Sequence, residues 1–107
     1  GGGLYINARS LTVKNADFIE NSIVNNDTLI GGGINGGGMV IRTVNANLEN
    51  ILVKENTIYK KGGAMFGAGI YLDSYGDNVG TVNISQLKII ENKAIGTTFV
   101  AGAGFAG

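Results

Sequence analysis

The chain has 107 residues and no net charge, with no cysteine, histidine or proline, yet it carries nineteen glycines in a composition that is 44% hydrophobic. That length bounds it to a single domain, and the missing residue types remove disulfides, thiolate metal sites and the commonest general base and zinc ligand. Zero net charge without a basic cluster excludes the electrostatic footprint of a nucleic-acid or anionic-membrane binder, and no apolar run approaches the ~20 residues of a membrane span.

Glycine-rich disordered chains usually lack apolar residues. Here Ile, Val and Leu recur between the glycines, which predicts many short strands joined by tight turns. No stretch of about eleven residues keeps a 3.6 period between breakers, which predicts almost no helix. The chain opens on Gly1-Gly2-Gly3 with neither an initiator Met nor a signal peptide, and is expected to be processed or cut from something longer.

In chain order, a glycine anchor runs into an apolar triplet at Gly1-Gly2-Gly3-Leu4-Tyr5-Ile6. It returns at Gly36-Gly37-Gly38-Met39-Val40-Ile41, at Gly67-Ala68-Gly69-Ile70-Tyr71-Leu72 and at Gly102-Ala103-Gly104-Phe105, with spacings of 35, 31 and 35. Between the anchors stands a second landmark: Phe18-Ile19-Glu20-Asn21, Val53-Lys54-Glu55-Asn56 and Ile89-Ile90-Glu91-Asn92, spaced by 35 and 36. A fixed period of this size predicts a repeat architecture. The repeats run over residues 1–35, 36–66 and 67–101, with the start of a fourth at 102–107. The third carries five extra residues around Ser74-Tyr75-Gly76-Asp77-Asn78, an insertion expected to bulge from one face.

Aligned on this period, Val13, Leu48 and Ile84 share a column, as do Ala16, Ile51 and Leu87, and Phe18, Val53 and Ile89. These columns are apolar throughout and are expected to face inward. Lys14, Glu49 and Ser85 form an outward column. Asn15, Asn50 and Gln86 form an amide column, and Asn21, Asn56 and Asn92 a second. A coil that cannot bury its apolar face alone stacks on the next, its strands pairing in register at ~4.8 Å. Amides suit such columns because each can donate and accept along the stack, and Asn also tolerates the left-handed backbone of sharp corners. The expected fold is all-β: a single-stranded parallel β-helix, or solenoid, of about three coils of 31–36 residues, each with three short strands and three turns.

The alternation of Gly-Gly-apolar with apolar-x-x-Asn resembles the polymorphic outer-membrane-protein repeats, the GGAI and FxxN motifs of chlamydial autotransporter adhesins and related extracellular proteins. The motifs stand here as Gly62-Gly63-Ala64-Met65, Gly36-Gly37-Gly38-Met39 and Phe18-Ile19-Glu20-Asn21. The Phe is kept in one copy and replaced by Val53 and Ile89, which preserves an apolar residue. The resemblance covers the whole chain. It implies a right-handed β-helix at a cell surface or outside the cell, and no activity.

Glu20, Glu55 and Glu91 fall in one column. Stacked carboxylates can hold a hard cation such as Ca²⁺; the favoured reading is that they splay into solvent beside Lys54 or Lys88, so no metal or other cofactor is assigned. Asp17, Asp73 and Asp77 lie in or near turns, but acids that repeat coil after coil are not the paired carboxyls of a glycosidase, and no catalytic residue is assigned. Two G-x-G-x-x-G spellings, at residues 31–36 and 102–107, lack the following helix that a dinucleotide site needs. Asn26-Asp27-Thr28 and Asn83-Ile84-Ser85 are glycosylation sequons, with Asn26 the better placed. Tyr5, Tyr59, Tyr71 and Tyr75 can pack on strands or offer a carbohydrate-stacking surface.

Neither end shows a cap, and residues 100–105 are small and apolar. Bare coil ends invite association. Either the chain is an interior piece of a longer solenoid, or it is a protomer that stacks head to tail into a filament. The expected function is therefore structural and non-catalytic, in an extracellular or cell-surface fibre. The alternatives are an adhesin passenger segment that binds a glycan or other surface ligand, and a carbohydrate-active enzyme fragment. No nucleic-acid partner is expected.

Overall fold

The structure is a computed structural model that describes residues 1–26, 33–74, 80–96, 99–101 and 105–106. Among the described residues the chain is all β, with no helix. The strands are β1 (Leu4–Ile19), β2 (Ser22–Asn25), β3 (Ile34–Asn35), β4 (Met39–Lys54), β5 (Thr57–Lys60), β6 (Ala64–Phe66), β7 (Ile70–Ser74), β8 (Val82–Ile90), β9 (Lys93–Gly96), β10 (Phe99–Ala101) and β11 (Phe105–Ala106). One sheet runs β1-β4-β7-β11 with β8 also on β4; the others are β2-β5-β9 and β3-β6-β10. Every pairing is parallel.

Parallel neighbours need a crossover between them, and here the crossover is the rest of a repeat. Val13 pairs with Leu48 and Leu48 with Ile84; Ala16 with Ile51 and Ile51 with Leu87; Phe18 with Val53 and Val53 with Ile89. These are the columns of the repeat alignment. The register also absorbs the insertion. The first part of β4 pairs with β7 at an offset of 31 and the later part with β8 at an offset of 36. Residues 75–79, which hold most of the insertion, lie outside the described residues.

The expected pattern of only short strands is replaced by two strands of 16 residues, β1 and β4. A straight strand of that length would reach ~53 Å at ~3.3 Å per residue, whereas the longest dimension of the molecule is 36 Å. The long strands therefore bend. Pairing skips Arg9 opposite Val44 and Asn15 opposite Asn50, and Asn15, Asn50 and Gln86 have φ of 53°, 54° and 54°. A left-handed residue breaks the two-residue alternation and turns the chain without ending the ladder on either side.

Burial follows position in the pile of repeats. In the middle repeat Met39, Ile41, Leu48 and Val53 are fully buried, and Ile51 and Ala46 nearly so. Leu4, Leu11, Val13, Ala16 and Phe18 on one side, and Leu72, Leu87 and Ile89 on the other, are half-buried and pack against them. Ile84 was expected inward but is 44% exposed: it lies on β8, which pairs with β4 and has no described strand beyond it. A second cluster joins Ile34, Ile58, Met65 and Ala68 with Ile23 and Ala94.

The glycine anchors are corners. Gly36 and Gly67 have φ of +61° and +53°, a conformation that costs other L-residues roughly 1–2 kcal/mol. At Gly37 the constraint is space: a Cβ there would collide with the Ala68 carbonyl oxygen of the next repeat.

Candidate functional site

Two amide columns carry the longest side-chain hydrogen-bond series of the described residues. The first column sits at the turn from β1 to β2 and its repeats. The backbone N–H and Nδ2 of Asn21 both donate to Asn56 Oδ1, at 3.0 and 2.9 Å. The backbone N–H and Nδ2 of Asn56 donate in the same way to Asn92 Oδ1, at 3.0 and 2.8 Å. The second Nδ2 hydrogen goes to a main-chain carbonyl one repeat back: Asn56 to Phe18 at 2.8 Å and Asn92 to Val53 at 3.0 Å. An amide offers two donor hydrogens and about two acceptor directions. Asn56, fully buried, uses them all.

The second column runs the other way. Asn50 Nδ2 donates back to Asn15 Oδ1 at 2.8 Å, and Gln86 continues the column on the exposed surface.

The column Glu20, Glu55 and Glu91 has a feature the sequence hides: all three are left-handed, with φ of 56°, 55° and 53°. They form the corner itself. Lys54 Nζ lies 3.2 Å from Glu55 Oε1. Among the described residues no three acids gather as a metal site. Asp17 is exposed, and Asp73 takes part in an ion pair with Arg42. Asp77 and Tyr75 lie outside the described residues, as do residues 31 and 32 of the first glycine spelling and most of the second.

Of the sequon residues, Asn26 is exposed after β2 and Asn83 is exposed on β8; Asp27 and Thr28 lie outside the described residues. Tyr59 is half-buried on β5. Tyr5 is 56% exposed, and Tyr71 is half-buried on the same sheet.

Sequence reasoning missed two buried polar residues. Thr43 sits at the bend opposite Ala8, and its hydroxyl donates to Asn45 O at 2.8 Å, with Arg9 O at 3.3 Å. Lys60 ends β5 at an inward position and is 2% exposed. Neither residue type signals burial. Only the alternation along the strand, read forwards from Ile58, would have placed Lys60 inside.

No helix among the described residues is long and apolar enough to cross a membrane, a statement that does not bear on strands. Compared with known protein families, curated proteins and solved structures, the chain matches none.

Proposed function

We propose that the chain forms about three coils of a right-handed parallel β-helix and serves as a structural, non-catalytic element of an extracellular or cell-surface fibre, by stacking head to tail. Three features support the coil. Three sheets pair at repeat-length offsets. The long strands bend within a body shorter than their contour. The shortest dimension, 16 Å, accommodates layers ~4.8 Å apart. Parallel crossovers within one sheet are right-handed in about 98% of cases, the hand that the resemblance to outer-membrane-protein repeats also implies.

The observation that carries the stacking is the polarity of the Asn21-Asn56-Asn92 column. Each Asn passes its N–H groups forward to the Oδ1 of the next. The series thus begins with the acceptor of Asn21 and ends with the backbone N–H of Asn92. These ends are complementary, and they lie on parallel strand edges that a copy or a further coil can continue. The test is sedimentation and electron microscopy over micromolar to millimolar concentrations. Fibres repeating at ~4.8 Å are expected, weakened by Asn21→Leu or Asn92→Leu at the joint. A monomer throughout that range overturns the stacking.

A second reading, an adhesin passenger segment, is favoured by one observation: the exposed Tyr5 beside the Arg42–Asp73 ion pair. Extracellular location belongs to both readings.

A further inference from the structure

The glycine corner that leads into β4 and β7 makes an open cleft. Asn35 and Phe66 are paired at the ends of β3 and β6, just before Gly36 and Gly67. Beyond the corner, Tyr5, Val40 and Tyr71 stand in one column, and Asn7, Arg42 and Asp73 in the column two residues further on. Tyr71 meets Phe66 across the corner, with ring centroids 6.1 Å apart and planes at 48°. The cleft between these walls has a volume of about 340 Å³ and is lined by Tyr5, Asn35, Val40, Arg42, Tyr71 and Asp73, with Gly1 at its rim. That is at the lower end of the ~300–1,000 Å³ of small-molecule sites.

The geometry points to a binding site for a neutral mono- or disaccharide unit. Charge excludes much else. Arg42 Nε donates to Asp73 Oδ2 at 3.0 Å, so the charged side chains that line the cleft neutralise each other and neither attracts an ion strongly. The Tyr5 side chain and Asp73 both favour the charged guanidinium and raise the Arg42 pKa, while the ion pair with Asp73 orients the donor. A wholly apolar ligand would strip water from this pair without replacing its hydrogen bonds.

Asn35 supplies the second argument. Its Oδ1 is shielded from water and accepts no hydrogen bond, an arrangement that is costly until a donor arrives. A sugar hydroxyl is donor and acceptor at once. It can donate to Asp73 and accept from Arg42, and it reaches the shielded Asn35 amide oxygen once that side chain turns toward the cleft it lines. The column supplies the apolar part. Tyr5 and Tyr71 are two strand spacings apart, ~9.6 Å, with the smaller Val40 between them. This leaves a slot between two aromatic side chains for the C–H face of a sugar ring. The site needs one chain only and does not depend on stacking.

The test is a titration of the full chain, isotopically labelled, with cellobiose, maltose, lactose and N,N′-diacetylchitobiose, followed by nuclear magnetic resonance. Sulfate and glucuronate serve as charged comparators. At least one neutral sugar is expected to shift the Asn35 side-chain amide and the Arg42 Nε–H signals. Tyr5→Ala, on an exposed side chain of an edge strand, should weaken that binding about tenfold, a change of 1.4 kcal/mol, while the far-ultraviolet circular dichroism stays unchanged. Arg42→Gln should weaken it too, and Tyr59→Phe should not. The proposal is overturned if no neutral sugar shifts these signals, if the shifts map elsewhere, if Tyr5→Ala binds as tightly as the parent, or if sulfate or glucuronate binds more tightly than every neutral sugar.

Discussion

Asn56 shows how much one side chain carries. It is fully buried and bonds to four partners: the main chain and side chain of Asn21, the carbonyl of Phe18, and Asn92. Leucine has the same branched outline, is bulkier and makes none of these bonds. Asn56→Leu is expected to lower stability by about 1–3 kcal/mol, the cost of orphaned buried partners, read as a drop in the urea midpoint at constant slope. An unchanged midpoint would mean the column contributes nothing net. Glu55 tests the backbone instead. Its φ of 55° suits Asn better than Glu and suits a β-branched residue worst. Its ion pair with Lys54 is about a third exposed at each partner and is worth under about 1 kcal/mol. Glu55→Asn should therefore be neutral or stabilising by up to ~1 kcal/mol, and Glu55→Val destabilising by ~1–2 kcal/mol, both from thermal melts. Sequence reading found the amide columns because amides are unusual in a strand and their recurrence at one period is visible. It missed the left-handed glutamates because Glu is not a turn-forming residue, and nothing in its side chain announces the corner.

At the scale of the strand, glycine separates two kinds of position that look alike in the sequence. Gly33 and Gly37 both belong to the run that precedes β4. A Cβ at Gly33 would find its nearest neighbour, Asn35 Oδ1, at 3.4 Å, whereas one at Gly37 would strike the Ala68 carbonyl. Gly33→Ala should leave the melting temperature within a few degrees of the parent. Gly37→Ala should cost more than ~2 kcal/mol, because backbone of one repeat must move away from backbone of the next. The inward columns of β4 were legible because like pairs with like when every repeat is shifted by a whole period. The long bent strands were not, because a turn through left-handed Asn keeps the ladder running and leaves no Gly or Pro to mark it. The Phe66–Tyr71 contact was equally hidden: it depends on the angle of the corner at Gly67, not on a motif.

For the whole molecule, protection is graded from the centre outwards. The middle repeat has neighbours on both sides and holds nearly all of the fully buried side chains. Equivalent truncations should therefore differ by place rather than by type. Leu48→Ala is expected to cost about 2–5 kcal/mol, and Val13→Ala or Ile84→Ala clearly less in the dispersed protein. If copies stack, the outer positions gain a neighbour, and the gap between Ile84→Ala and Leu48→Ala should narrow as concentration rises. Chemical denaturation at two concentrations reads this directly. The period and the columns were legible in the sequence, but the exposure of Ile84 was not, because it is decided by what lies beyond the edge rather than by the residue.

The divided partner of β4 has a practical consequence. Its first part is matched to β7 and its later part to β8, in registers that differ by the length of the intervening segment. Each match is fixed by its own side chains, so the length of chain between β7 and β8 is free to vary. That junction is a splice point. A foreign peptide inserted after Thr81 would interrupt the approach to β8, but one placed between residues 75 and 79 leaves both registers intact. The protein would then serve as a carrier of one passenger per chain, which an unchanged melting temperature of the fusion would check.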